Sequence, residues 1–151
     1  MSELTTVDEI LDFAIEREQE AADFYNYLAD KASGPGVAKV FSKFADEEMG
    51  HKAKLEKVKD GKRMLQSQAK VQDLKIGDYL VEQQPTGELD YQAALILAMK
   101  KEKAAFKLYM DLSEKVDDAD IKDLLQGLAQ EEAKHKLRFE LEYDERVLRD
   151  N

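Results

Sequence analysis

Cysteine is absent from the 151 residues. Its absence excludes disulfides, thiolate nucleophiles, iron–sulfur clusters and cysteine-type zinc sites together. Any metal bound by this chain must be held by oxygen and imidazole nitrogen, and histidine is itself limited to two residues, His51 and His135. Helix breakers are scarce, with two Pro and seven Gly. No apolar run approaches the roughly 18 residues of a membrane-spanning helix. Excess basic charge is lacking too: the formal net charge of -10 argues against a nucleic-acid or anionic-membrane surface, which needs a basic patch. Met1-Ser2-Glu3-Leu4-Thr5-Thr6 has neither the basic nor the apolar region of a signal peptide. No nucleic acid and no membrane are expected as partners, and the expected location is cytoplasmic.

What is present suits helices. Hydrophobic residues make up 43% and charged residues 37%, the mixture expected of amphipathic helices with charged outer faces. The length fits one domain, residues 1–151. Thr6-Val7-Asp8-Glu9 reads as a capping box, and a stripe follows at Leu11, Ala14, Glu18, Ala21, Tyr25 and Leu28. Ser33-Gly34-Pro35-Gly36 reads as a stop. A second stripe runs through Val37, Phe41, Phe44, Glu48, His51, Leu55 and Val58, with Gly61 near its end. Between Gln66 and Glu88 the period is lost, apart from a short helical turn expected around Lys75–Leu80. The third stripe holds Leu95, Ala98, Glu102, Ala105, Tyr109 and Leu112. After Val116-Asp117-Asp118, a turn and N-cap, the fourth holds Ile121, Leu125, Leu128, Glu132, His135 and Phe139.

The expected helices are about 6–32, 36–64, 88–115 and 118–148, with a connection at about 65–87. Short first and third loops make each pair an antiparallel hairpin, while the middle one is long enough to cross the bundle. The fold class is therefore all-α, a ferritin-like antiparallel four-helix bundle with one long crossover between helices two and three.

The second hairpin repeats the first at an offset of 84 positions. Glu18 pairs with Glu102, Tyr25 with Tyr109, Leu28 with Leu112, Phe41 with Leu125, Phe44 with Leu128, Glu48 with Glu132 and His51 with His135. No insertion interrupts the correspondence, even across the loops, so the chain is a duplicated helical hairpin. Both histidines lie in Glu-x-x-His, Glu48-Met49-Gly50-His51 and Glu132-Ala133-Lys134-His135. Residues i and i+3 of a helix project to one side, so carboxylate and imidazole can reach a common ion.

One Glu-x-x-His on a glutamate-rich helix is weak evidence, because a solvated surface pair looks the same. Two copies, each with a further Glu 33 residues before the histidine, are another matter. With about one residue in nine a glutamate, that coincidence has a chance of roughly one in several thousand. The register adds a physical reason. Four carboxylates on apolar stripes would oppose folding by several kcal/mol each if left uncompensated. Two divalent cations balance them, with His51 and His135 completing the shells. One Glu from each of two helices and Glu-x-x-His from the other two is the arrangement by which such bundles hold two iron or manganese ions. The candidate metal ligands are Glu18, Glu48, His51, Glu102, Glu132 and His135.

Around them, Glu47 and Glu131 each precede a candidate ligand and have two readings of equal weight: acceptors for the free ring nitrogen of a ligating histidine, or solvent-facing charges. Tyr25 and Tyr109 either donate to ligand carboxylates or fill the core. Met49, Met99 and Met110 read as packing.

Glu18-x6-Tyr25, Phe44-Ala45-x-Glu47-Glu48-x-x-His51, Glu102-x6-Tyr109 and Leu128-Ala129-x-Glu131-Glu132-x-x-His135 resemble the rubrerythrin branch of the ferritin-like superfamily, as does the crossover segment Asp73–Leu80. The resemblance covers nearly the whole chain. It implies a non-haem di-iron centre with Glu48 and Glu132 bridging and Glu18 and Glu102 terminal, a cytoplasmic location and a homodimer. It also implies an oxidoreductase that reduces peroxide or dioxygen while oxidising Fe(II), with a role in oxidative stress or iron homeostasis. Two departures qualify it. The cysteine-rich rubredoxin-like module usual in the family is not expected in a chain without cysteine, so electrons would come from a separate rubredoxin-like protein or flavoprotein. The extra helix-three glutamate that takes part in the family's redox-linked ligand exchange is replaced by Ala105. Iron storage or delivery, and dimanganese catalase chemistry, stay open as alternatives, since these donors accept Mn as well as Fe. A long crossover also leaves open exchange of hairpins between chains.

Overall fold

A computed structural model describes residues 7–32, 34–60 and 91–145. Four long helices account for nearly all of them: α1 (Val7–Lys31), α2 (Pro35–Asp60), α3 (Tyr91–Lys115) and α4 (Ala119–Tyr143). Their ends follow the local chemistry. Asp8 and Glu9 sit in the first turn of α1 and Lys31 in its last, matching the helix dipole at both ends. Asp118 caps α4, its side chain accepting from the Ile121 backbone N–H at 3.0 Å. The capping box at Thr6, the helix end near Gly61, the short helix at 75–80, the crossover at 65–87 and the last turn of the expected fourth helix lie outside the described residues.

One local expectation changes. Pro35 and Gly36, read as part of the stop, belong to α2, which opens at Pro35. The first intrahelical bond of α2 runs from the Ala38 N–H to the Gly34 carbonyl at 3.0 Å. Proline is suited to the first helical position because its missing N–H would have had no intrahelical partner there.

Each helix turns its stripe inward, and the buried apolar residues fall into two groups. One contains Ile10, Leu11 and Ala14 of α1, Leu55 of α2, Leu108 and Leu112 of α3, and Ile121, Leu125 and Leu128 of α4. The other contains Ala21, Tyr25 and Leu28, then Val37, Phe41 and Phe44, then Ala94, Leu95 and Ala98, and finally Phe139. The first group joins the start of α1 to the ends of α2 and α3 and the start of α4. The order is therefore up–down–down–up, and α2 finishes at the opposite end of the bundle from where α3 begins. This is the single-crossover plan of the ferritin-like bundle.

Met99 packs against the second group and Met110 against the first. Met49 differs from expectation: it is 41% exposed, because it sits one residue, and thus about 100° around the helix, from the buried Glu48.

Candidate metal centre

Between the two apolar ends, at mid-height on every helix, lies a polar layer. Glu18 of α1, Glu48 and His51 of α2, Glu102 of α3, and Glu132 and His135 of α4 are all at most 4% exposed. The stripe spacing explains why. Glu18 lies four residues after Ala14 and three before Ala21; Glu48 follows Phe44 by four and precedes Leu55 by seven. Those intervals hold a side chain on the inward face, and the duplication imposes the same on Glu102 and Glu132.

The six side chains form two overlapping groups. Glu18, Glu48, His51 and Glu132 can bring ligand atoms within 4.8 Å of one another, and so can Glu48, Glu102, Glu132 and His135. Each group thus draws on both hairpins, and Glu48 and Glu132 belong to both. His51 Nδ1 lies 3.2 Å from Glu18 Oε2, 3.3 Å from Glu48 Oε1 and 3.1 Å from Glu132 Oε1. His135 Nδ1 lies 3.2 Å from Glu48 Oε1, 3.2 Å from Glu102 Oε2 and 4.0 Å from Glu132 Oε1.

The tyrosines resolve in favour of donation. Tyr109 donates its hydroxyl to Glu18 Oε1 at 2.6 Å, and Tyr25 donates to Glu102 Oε1. Each bond crosses from one hairpin to the other, so the pair ties α1 to α3 reciprocally. It also occupies one oxygen of each carboxylate from behind, leaving the other facing the histidine. Glu47 accepts at 2.9 Å from His135 Nε2. Glu131 does not reach a histidine; its carboxylate pairs with Lys134 at 3.3 Å on the same helix. Ala105, at the position of the family's extra glutamate, is half-buried and packs against the aliphatic group.

Two further contacts are made by residues outside the candidate set. Phe44 stacks on the His135 ring with centroids 4.1 Å apart. Glu142, buried near the end of α4, accepts from the Tyr91 hydroxyl at 2.7 Å. The signal for Glu142 was its place on the stripe, three residues after Phe139 and seven after His135.

Electrostatics show what this layer costs. Burial, reinforced by the Glu48 charge, raises Glu18 to about 7 and Glu102 to about 8. Burial and the neighbouring carboxylates Glu102, Glu18 and Glu48 push Glu132 well up. Glu48 goes the other way: burial opposes its ionisation, but the imidazoles of His135 and His51 beside it outweigh burial and hold the carboxyl at about 2. Burial likewise opposes charge on the imidazoles, yet the carboxylates beside them raise His51 to about 9 and His135 to about 11. At neutral pH the layer keeps its carboxylates together by holding protons.

The donor set fits a pair of divalent metal ions. Both oxygens of Glu48, Glu102 Oε2, Glu132 Oε1 and His135 Nδ1 are buried without a well-formed hydrogen bond. Such groups are rare in native interiors and call for a water or an ion. Four carboxylates and two imidazoles, with no thiolate, suit iron or manganese, and metal entry would displace the protons the layer holds.

Comparison with known proteins agrees with this architecture. A model of the Rubrerythrin family matches residues 9–143. Among solved structures, the chain is similar to a protein from Thermotoga maritima described as ferritin-like and diiron-carboxylate, at 22% identity and a TM-score of 0.81, over 97% of this chain and 98% of that one. It is also similar to a hypothetical protein from Pyrococcus furiosus, at 29% identity and a TM-score of 0.74, over 92% and 89% of the respective chains. Comparison with curated proteins gives no match. The Thermotoga likeness supports the fold, and the family match spans all four helices and every residue of the polar layer: the chain belongs to the rubrerythrin family.

Proposed function

We propose that this protein is a non-haem di-iron oxidoreductase of peroxidase or ferroxidase type, reducing peroxide or dioxygen with electrons from Fe(II). One observation carries the reading: two buried four-residue donor groups share Glu48 and Glu132. Shared carboxylates are what a pair of ions close enough to act together requires. Glu18, Glu48, His51 and Glu132 would hold one ion; Glu48, Glu102, Glu132 and His135 would hold the other. Two ferrous ions held by these residues would supply the two electrons that reduction of a peroxide O–O bond consumes, with dioxygen as the alternative oxidant.

The rest is done by the chain. Tyr25 and Tyr109 fix the orientation of Glu102 and Glu18 and keep a proton within reach of those carboxylates. Glu47 holds His135 by its outer nitrogen. The aliphatic group below and the aromatic group above exclude bulk water from the layer, which confines reactive oxygen species and strengthens the electrostatics inside. With no cysteine in the chain, re-reduction falls to an external donor of rubredoxin-like or flavoprotein type. A cytoplasmic homodimer is the setting this reading assigns.

Stopped-flow mixing of ferrous-loaded protein, prepared anaerobically, with hydrogen peroxide and separately with dioxygen tests the proposal. Oxidation of two Fe(II) per chain, faster than free Fe(II) under the same conditions, is expected. If neither oxidant reacts, the oxidoreductase assignment fails. Metal analysis of protein purified without added metal distinguishes iron from manganese.

A further inference from the structure

The duplication makes the two halves of the polar layer formally equivalent, and the side chains just outside it break that equivalence. In the first hairpin, Glu47 reaches across to α4 and accepts from His135 Nε2 at 2.9 Å. Its counterpart at the 84-residue offset, Glu131, ought to do the same for His51. It is instead drawn along its own helix to Lys134 at 3.3 Å. The sequence explains the difference. Lys134 stands three residues after Glu131, the spacing at which helical side chains meet. The position three residues after Glu47 is Gly50, which has no side chain to compete. Among the described residues, nothing else closes on His51 Nε2; every polar contact of that ring is made through Nδ1.

A second difference acts in the same direction. Phe44 stacks on His135 at 4.1 Å, and Tyr25 meets that ring edge-on at 6.4 Å. The counterpart of Phe44 is Leu128, and the only ring packed near His51 among the described residues is that of His135, at 6.3 Å. One imidazole is therefore held by a carboxylate and an aromatic face; among the described residues, the other is held only by the layer itself.

On this basis we infer that the two metal positions are unequal: the His135 position binds more tightly because Glu47 fixes its imidazole, and the His51 position is the exchangeable one, where an ion leaves first. The inference rests on the two-metal reading above. Glu47 is a positioning residue, acting through His135, and Gly50 and Lys134 decide which hairpin has one. A carboxylate on the outer nitrogen of a ligating histidine fixes its tautomer and ring orientation and raises its basicity; losing it costs about 10–100-fold in affinity.

Titration of the whole metal-free protein with Co(II), followed by proton NMR, tests this. Two ions in neighbouring positions repel, so a two-step isotherm alone does not distinguish the positions. The ring N–H does. At one equivalent the expected signal is a single hyperfine-shifted, slowly exchanging imidazole N–H, that of His135 held by Glu47. Glu47→Gln should weaken the tighter position about 10–100-fold and abolish the slow exchange, whereas Glu131→Gln should change neither position. Gly50→Lys is the sharper variant. It leaves Glu47 in place but supplies the competing lysine; a side chain there meets nothing within 4 Å, and replacing a mid-helix glycine favours the helix. A loss of affinity in Gly50→Lys without loss of thermal stability is therefore expected. Lys134→Ala should conversely tighten the His51 position. Equal filling of both positions at one equivalent, or an equal effect of Glu47→Gln on both, overturns the inference. Binding of fewer than two Co(II) by the wild type overturns the two-metal reading instead.

Discussion

The middle of the bundle and its two ends are cut from the same four stripes, yet their contributions to folding have opposite sign. At the ends, Phe41, Leu55, Leu125 and Phe139 are completely buried, and each such side chain contributes about 1.5–3 kcal/mol relative to an exposed one. At mid-height the same helical faces bury four carboxylates and two imidazoles, and desolvation alone penalises each charge by several kcal/mol. The ends fold the chain. The middle is tolerated because the ends are strong, and it becomes favourable only when cations replace the protons. Stability is therefore a reporter of metal occupancy, and perturbations of the two regions should respond to metal differently.

Metal removal should give the largest effect. If each ion is present at about 100 times its dissociation constant, two sites add roughly 5 kcal/mol, or a rise in Tm of about 10–20 °C for a chain of this length. The gap should widen with pH. Glu18 and Glu102 have folded values of about 7 and 8, above the ordinary 4.5, so between pH 4.5 and 8 the folded state holds more protons than the unfolded one. Stability of the metal-free protein then falls as pH rises. His51, raised from 6.5 to about 9, contributes stability that is complete below pH 6.5 and lost as pH passes 9. Glu48, held at about 2, contributes above pH 4.5 and is constant across this window. Calorimetry of metal-free and metal-loaded protein from pH 5 to 9 checks both sign and trend; a metal-free Tm that climbs with pH contradicts the picture.

Phe41→Ala tests an end. Truncating a fully buried Phe should cost about 3–5 kcal/mol, and the loss should be the same with and without metal because Phe41 lies two turns from Glu48. Parallel urea denaturation curves for the two forms measure it. A loss confined to the metal-loaded form would mean that the ends and the middle are not separable.

Much of this division can be read directly from the residues. The stripes, the 84-residue repeat and the paired Glu-x-x-His place all six polar-layer residues on inward faces at one height, because a duplicated helix pair fixes both. Whether Tyr25 and Tyr109 donate to carboxylates could not be decided that way. Each partner lies on a helix of the other hairpin, and only the packing of α1 on α3 brings hydroxyl and carboxylate together. The fates of Glu47 and Glu131 were equally hidden. The two are identical by motif, and what separates them is the lysine at one i+3 position and the glycine at the other. Pro35 departs from the expected stop for a local reason: a breaker inside a helix is a starter at its first position.

Glu102→Gln inverts the test made at the end. Replacing a carboxyl that burial keeps protonated up to about pH 8 with a neutral amide should leave the metal-free fold little changed near neutral pH and stabilise it above pH 8, while the loaded protein loses affinity for one ion. Above pH 8, opposite movements of Tm in the two forms are expected. A variant that destabilises both forms alike would show that Glu102 acts as an ordinary core residue.

The smallest effect should come from Tyr109→Phe, and it sharpens the comparison further because it alters the layer without removing a donor to metal. The phenol fills the same volume as the ring that replaces it, so packing in the aliphatic end is kept. What is lost is the hydroxyl donated to Glu18 Oε1. In the metal-free protein at pH 6, Glu18, raised to about 7 by burial and the Glu48 charge, is mostly protonated, and the bond is then between neutral groups, which is worth about 1 kcal/mol. With metal bound the carboxylate is ionised, and the same bond becomes charge-assisted and roughly twice as strong. The mutation should therefore lower stability by about 1 kcal/mol without metal and about 2 kcal/mol with it. A double-mutant cycle with Glu18→Gln, run in both forms, isolates the pairwise energy. Coupling that is equal in the two forms would mean that Glu18 is already ionised before metal enters, and that the protons held by the layer reside elsewhere.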